Sequence, residues 1–432
     1  MSGSILIKNV QMLSKYGFGK ENVSVGIIDG IIEYVGTSPD VSAYSEIVDG
    51  KGNLLIPAFY NTHSHVAMSL FRGYGEDLPL ERWLNDRIFP AEDRLTDKAV
   101  YVGSMLSIAE MIANGVVSFS DMYMFEQETA RAVIESGIKA NLSRCIVSFS
   151  DVDSPSLDKR FVEAVKLVND FNGAADGRLK IDMSLHAEYT NTEQMCKLVG
   201  DYCRENDLGI QIHVSETSKE HEEAKARRNG RTPIQFFNDI GLLDNHVVAA
   251  HCVWVSDEDI EIMRDKRVNV SHNAVSNLKL GSGVMPLQKM LNRGINVSLG
   301  TDGSASNNNL DIIKELQYAS LIHKGVNYMP EATKAESMFK MATLNAARAQ
   351  RRDDCGEIKV KNKADLVLID VNSVNNIPSY DYYTTMAYSA KSSDVLLTMV
   401  DGVILYQNGE YKTIDIEKVK HEAKDVVNHY FD

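Results

Sequence analysis

No window of the sequence approaches eighteen uninterrupted apolar residues, so no segment reads as a membrane-spanning helix. The first residues, "MSGSILIKNVQML", lack a basic stretch followed by a long apolar core and a small-residue cleavage site, and are not expected to act as a secretion signal. Cysteine is scarce. Cys145, Cys196, Cys203, Cys252 and Cys355 are odd in number and widely spaced, with no Cys-x-x-Cys among them. Neither a disulfide framework nor a thiolate zinc knuckle is indicated, and a reducing, cytoplasmic setting is expected. Positive charge is also short: 45 Lys and Arg stand against 60 Asp and Glu, a net −15. That balance argues against nucleic-acid binding through phosphate neutralisation. Low-complexity tracts and short fixed-period repeats are absent as well.

What is present is a rhythm. Apolar, β-branched runs recur and each ends in a polar residue: "LLIPAFYNTH" (54–63), "VVSFSDM" (116–122), "KANLSRCIV" (139–147), "KIDMSLHAE" (180–188), "GIQIHVSE" (209–216), "VVAAHCVW" (247–254), "VNVSHNAVS" (268–276) and "INVSLGTDG" (295–303). Helix-like segments separate them, among them "TDKAVYVGSMLSIAEMIANG", which opens on Thr and closes on Gly as a capped helix does. Continuous apolar runs alternating with amphipathic helices predict parallel strands covered on both faces. Eight such units close a barrel; a doubly wound open sheet is the competing architecture. The barrel is preferred because polar residues end nearly every strand, whereas an open sheet gathers them at one switch point. At 432 residues the chain is long for one domain. Strand-like segments at both ends, with "IDG" and "QNGE" as turn signals, predict a small β domain from residues 1–56 and 355–432, carrying a final helix "IEKVKHEAKDVVNHYF" and flanking a barrel of residues 57–354. The long segment "GYGEDLPLERWLNDRIFPAEDRL" between the first two strands predicts a substrate-covering insertion.

The run Leu54–Tyr60 reads as one buried strand that leads into His63 and His65, and residues two apart on a strand share a face. Of the eleven histidines, His63, His65, His186, His213, His251 and His272 fall at or near the ends of five predicted strands. His221, His323, His421 and His429 lie in polar helical surroundings and are expected at the surface, and His246 precedes a strand. His63, His65 and His213 with Asp302 offer three imidazoles and a carboxylate, a set that suits Zn²⁺, with Fe²⁺ as the competing ion. Such an ion with an open position lowers the pKa of water and makes it a nucleophile near neutral pH. Glu216, three residues after His213, suits a proton carrier beside the metal. Asp302 is placed both to ligate and to take the water's proton.

In this arrangement the sequence resembles the metal-dependent amidohydrolase superfamily and, within it, the 5-methylthioadenosine/S-adenosylhomocysteine deaminases. The matching pieces are "NTHSHVAMSLFRG", "LHAEYT", "HVSET", "AHCVWV", "SHNAVSNLKLGSG" and "LGTDGSASNN", together with "KADLVLID" and "VDGVILYQNGEY" near the far end. Chlorinated-triazine hydrolases and guanine deaminases share the outer motifs, and the extended "RGYGEDLPLERWLNDRIFPAE" favours the adenosine-type branch. The resemblance implies that His63, His65, His213 and Asp302 hold the metal and that Glu216 shuttles a proton to the purine ring nitrogen. It further implies that His251 hydrogen-bonds the attacking water and that His186 contacts the purine. Trp83 is implied to pack on the 5′ substituent, Glu92 to bind the ribose hydroxyls, and Arg144 and, more loosely, Arg160 to contact substrate. His272 is given an orienting part.

Three departures stand out: Glu188 where the resemblance expects proline, which places a carboxylate near the purine pocket, and Ala58 and Ala274 in place of the usual Gly and Pro. The reaction implied is hydrolytic loss of the adenine C6 amino group from a 5′-substituted adenosine (5′-methylthioadenosine, S-adenosylhomocysteine or adenosine). One rival is another hydrolase of the superfamily, acting on guanine, an aminotriazine or a cyclic amide. The absence of a lysine in "SLHAEY" speaks against a two-metal amide hydrolase. The other rival is a catalytically silent metal-binding protein. A small nucleoside is the expected partner, with no nucleic acid and no membrane. A homo-oligomer is compatible with an α/β enzyme of this size.

Overall fold

In the computed structural model, which describes residues 3–13 and 22–430, parallel strands form the central sheet. They are β1 (Phe59–Ser64), β2 (Val116–Tyr123), β3 (Lys139–Ile146), β4 (Leu179–Ile181 continued by Met183–Leu185), β5 (Gly209–Val214), β6 (His246–His251), β7 (Asn269–His272) and β8 (Val297–Leu299). Each pairs in parallel with its successor from β1 through to β8. At the seam between β8 and β1, the Asp302 N–H donates to the His63 carbonyl at 2.9 Å and the Thr62 hydroxyl to the Leu299 carbonyl at 2.9 Å. The architecture is the eight-stranded β/α barrel that the strand rhythm predicts. The physical cause is plain in β2, where all eight residues are buried because helices cover the outside and side chains fill the inside.

The helix Asp97–Ala113 begins where the Thr96 side chain accepts from the Ala99 N–H, and Gly115 follows it with φ +80°. Its apolar face packs on the barrel and its flank on the final helix Ile416–Tyr430 through Val100, Val102, Ala423 and Val426. The insertion after β1 folds into short helical turns over Leu80–Glu92 and buries Trp83, Ile88 and Ala91 against Phe71 and Tyr123.

A second sheet joins the two ends of the chain. Ser4–Met12, Val23–Ile28, Ile31–Gly36, Glu46–Asp49 and Leu54–Pro57 share it with Leu366–Ile369, Val395–Val400, Val403–Gln407 and Glu410–Tyr411. Two of its hairpins turn on Asp29–Gly30 and Asn408–Gly409, with φ positive at both residues of each turn, the signature of the tight type that matches strand twist.

The apolar run Leu54–Tyr60 is two strands rather than one. Leu54–Pro57 pairs antiparallel with Leu366–Ile369 in the second sheet, and Phe59 opens β1 of the barrel. Ala58 is the crossing point, its N–H donating to the Asp365 carbonyl at 3.0 Å. The sequence carries no mark of the change because both sheets bury their residues there.

Candidate active site

The C-terminal ends of the strands carry the titratable groups. β1 ends at Ser64, so His65 lies just beyond it and opens the short helical turn Val66–Phe71. Even so, its Nε2 and that of His63 converge on one atom, Asp302 Oδ1, at 3.3 and 3.5 Å. His213 Nε2, at the end of β5, sits 3.4 Å from His65 Nε2. The imidazoles of His63, His65 and His213 form one group with donor atoms within 4.8 Å of each other, and His63, His251 and Asp302 form a second such group.

Hydrogen bonds on the far side fix how these rings present themselves. His65 Nδ1 donates to the Met122 carbonyl at 2.9 Å, and His213 Nδ1 to the His186 carbonyl at 2.7 Å. Each Nε2 lone pair therefore faces inward. His63 Nε2 is buried without a hydrogen-bond partner. An orphaned buried nitrogen beside two inward-facing ring nitrogens and a carboxylate is the donor chemistry of a divalent-cation site, and the residues fit one. Burial holds His63 down to about 4 and His213 well below the usual histidine value, so both are neutral, as ligands must be. Burial opposes charge on His65 too, but the hydrogen bond and charge of Asp302 overcome it and raise His65 to about 9. Burial also works against an ionised Asp302, yet contacts with His63 and His65 keep it well below the usual carboxylate range.

Backbone strain marks the same rim. Ser215, His251, Cys252 and Asp302 all take positive φ, between 47° and 71°. Non-glycine residues are held in that region only where the surroundings over-determine them.

The other expected residues fall at graded distances from this centre. His251 is buried, its ring 5.3 Å from that of His63, and its Nδ1 meets Asn277 Oδ1 at 2.8 Å, which leaves Nε2 facing the cluster. Glu216 Oε2 lies 3.9 Å from that Nε2. The His186 ring is 4.9 Å from His213, and burial lowers His186 to about 4. Glu92 accepts from the Tyr123 hydroxyl at 2.7 Å, and the Tyr123 ring is 6.1 Å from His65. Trp83 is buried in the same apolar cluster as Ala67, Met68, Tyr123 and Ala305. Arg144 follows on β3, its Nε donating to Glu163 at 2.8 Å and its Nη1 to the Cys145 carbonyl at 2.6 Å. Arg160 is exposed on the helix Lys159–Phe171 and donates to the Val147 carbonyl at 3.0 Å, without direct contact to the cluster.

Three expectations need correction. The Glu188 carboxylate is fully buried and faces Arg227 and Arg228, each at 2.6 Å. Two guanidiniums supplied by the helix after β5 neutralise it, so it adds no free charge to a purine pocket. His323 is buried, its Nε2 2.9 Å from His272 Nε2, and His221 is buried against Ser215. Both sit on amphipathic helices whose inner faces the polar sequence context disguised. His272 accordingly spends its Nε2 on His323 rather than on the metal-site residues.

Sequence reasoning missed the residues that brace the site. Ser276 donates to Asp302 Oδ2 at 2.6 Å, and Ser282 to Glu216 Oε1 at 2.9 Å. Glu220 accepts from the Ser215 and Glu216 N–H groups, both at 2.8 Å. The signal for the first two was the unexplained tail "SNLKLGSG" after His272.

A sequence profile described as the amidohydrolase family matches residues 54–405. Over 97% of both chains, this sequence is 43% identical to the 5-methylthioadenosine/S-adenosylhomocysteine deaminase of Dictyoglomus thermophilum. It is also 43% identical to the 5′-deoxyadenosine deaminase of Methanosarcina mazei, over 97% of this chain and 96% of that one. Among solved structures, an adenosine deaminase from Xanthomonas campestris with bound zinc superposes with a TM-score of 0.93 at 27% identity, covering 99% of this chain and 98% of that one.

Proposed function

The chain belongs to the amidohydrolase family, and from that premise we propose how it acts: it is a hydrolytic deaminase that removes the C6 amino group of 5′-substituted adenosines, giving an inosine-type product and ammonia. The observation that carries this reading is the near-full-length likeness to relatives named for deamination of 5′-modified adenosines. It depends on a divalent metal, for which the four-residue set His63, His65, His213 and Asp302 is our assignment. We take the ion to be Zn²⁺, supported by three imidazoles with one carboxylate; Fe²⁺ is the rival. Bound there, it supplies a Lewis acid that makes water a nucleophile near neutral pH.

The chain's own groups handle the protons. Overall, water oxygen replaces nitrogen at C6, one water proton ends on N1 and the other leaves with ammonia. Glu216 takes one proton of the water and passes it to N1, which makes C6 electrophilic as the water oxygen attacks. Asp302 takes a proton from that water and returns it to the departing amine. His251, held by Asn277 with Nε2 inward, orients the attacking oxygen by hydrogen bonding. His186 contacts the purine, Glu92 takes the ribose hydroxyls, and Trp83, Arg144 and Arg160 line the 5′ side. The guanidinium of Arg144 already has Glu163 as a partner, so its part is the less direct one.

The five cysteines are unpaired, which supports our placement of the enzyme in the reducing cytoplasm. No helix among the described residues is long and apolar enough to cross a membrane.

The test is ammonia release by Zn²⁺-loaded protein from adenosine, 5′-deoxyadenosine, 5′-methylthioadenosine, S-adenosylhomocysteine and guanine in parallel. Faster turnover of the 5′-modified adenosines is expected. Turnover of guanine alone, or of none, overturns the substrate assignment.

A further inference from the structure

Glu216 has two carboxylate oxygens, and their surroundings differ. Oε1 accepts from the Ser282 hydroxyl at 2.9 Å, whereas Oε2 faces His251 Nε2 at 3.9 Å, beyond hydrogen-bond length. Ser282 is itself held on three sides. It is 4% exposed, its N–H donates to the Asn277 carbonyl at 2.9 Å, and its carbonyl accepts from Trp254 Nε1 at 2.7 Å. Gly283 beside it, at φ +123°, packs so closely on Val253 and Trp254 that a Cβ would sit 3.0 Å from Val253. The serine is thus a rigid donor on a braced loop, and its one hydroxyl proton is spent on one oxygen of the carboxylate. From the other side, Glu220 fixes the Glu216 backbone N–H at 2.8 Å.

We infer that Ser282 is the positioning residue for the proton shuttle, pinning Glu216 Oε1 so that Oε2 alone is presented to purine N1. This rests on the assignment of Glu216 as the shuttle. The physical reason is geometric: a carboxylate free to rotate about its last bond offers either oxygen at any angle, whereas a single anchored oxygen fixes the plane and aim of the other. The same Asn277 whose carbonyl receives the Ser282 N–H also holds His251 through its side chain. One loop therefore aligns both the group that protonates N1 and the group that orients the attacking oxygen.

The experiment compares Ser282→Ala, Ser282→Thr and Glu216→Gln, alone and with Ser282→Ala and Glu216→Gln combined, using metal-loaded protein. Ser282→Ala is expected to lower kcat by about ten- to a hundredfold with KM changed by less than about threefold. Ser282→Thr, which keeps the hydroxyl, is expected to recover most of the rate. In the Glu216→Gln background, Ser282→Ala is expected to have no further effect beyond about twofold, since its target is gone. A second readout is binding of a 6-hydroxy-1,6-dihydropurine nucleoside, whose N1–H copies protonated N1. Its affinity is expected to fall in Ser282→Ala while that for 1-deazaadenosine, which has no ring nitrogen at that position for the carboxylate to meet, holds. Normal kcat in Ser282→Ala beside an inactive Glu216→Gln overturns this inference and leaves the mechanism standing. Full activity in Glu216→Gln overturns the shuttle assignment itself. Equal losses in the alanine and threonine variants reduce Ser282 to a packing role and also overturn the inference.

Discussion

The two ends of the barrel bury charge in opposite ways. At the end where the strands begin, Lys139 is fully buried, yet its ammonium reaches Asp365 at 2.5 Å and Asp401 at 2.7 Å, and Tyr60 donates to the same Asp365 carboxylate. Burial works against the charge on Lys139, and the carboxylates win and raise it. Above them, Gln350 donates to the Asn61 carbonyl and accepts from Ser118, while Arg352 donates to the Ala140 carbonyl at 3.0 Å. Here the buried Lys139 and Asp365 charges meet counter-charge within the chain, and Arg352 is held through Nη2 while its Nε has no hydrogen-bond partner among the described residues. At the end where the strands finish, His63 Nε2 has no hydrogen-bond partner among the described residues, ring nitrogens crowd together and backbone angles are strained. Saturated buried charge holds a fold together, whereas unsaturated buried polarity is retained for something that is not protein.

The contrast breaks most visibly if the saturated end is unsaturated. Lys139→Met strands the buried Asp365 carboxylate without its cation, while the part-exposed Asp401 keeps Lys363, and is expected to cost about 3–5 kcal/mol of stability. Denaturant unfolding measures it, and the metal content and kcat of the folded fraction are expected to hold. Loss of metal in that variant would mean the two ends are not independent. At the other end, Glu216→Gln keeps the shape but removes the shuttle, and kcat is expected to fall about a hundredfold or more with metal retained. Ser276→Ala takes away the donor on Asp302 Oδ2. Chelator competition is expected to show metal affinity about ten- to a hundredfold weaker, with stability little changed.

The same division explains what could be read in the sequence. Strand ends and their histidines were legible because the signals are local: His63 and His65 follow directly on an apolar run, even though His65 lies just past the strand, and a run such as Val116–Tyr123 advertises its own burial. The roles of Ser282 and Ser276 were not, because their partners Glu216 and Asp302 lie 66 and 26 residues away on other loops, and no periodicity connects them. That Glu188 is neutralised escaped for a similar reason. That a carboxylate stands in "HAEYT" is a sequence fact; that Arg227 and Arg228 reach back over it depends on how the next helix packs. The passage from one sheet to the other at Ala58 left no trace, since a residue buried in either looks the same.

Glu92 gives the finest test, because it lies between the two regimes. Burial raises its carboxyl to about 7, and the Tyr123 hydroxyl and the charge of His65 offset only part of that. Among the described residues its donor is Tyr123, at 2.7 Å, so the carboxylate keeps acceptor capacity for ribose hydroxyls. A group raised to about 7 is ionised above that pH and takes up a proton as pH falls through it. The ionised form accepts two hydroxyls, whereas the protonated form gives up part of that capacity. KM for a 5′-substituted adenosine is therefore expected to rise severalfold from pH 8 to pH 6, with kcat not following the same curve. Glu92→Gln, which cannot ionise, is expected to raise KM at pH 8 and flatten its pH dependence. A KM that is level with pH in the parent enzyme would place Glu92 with the saturated groups that hold the fold.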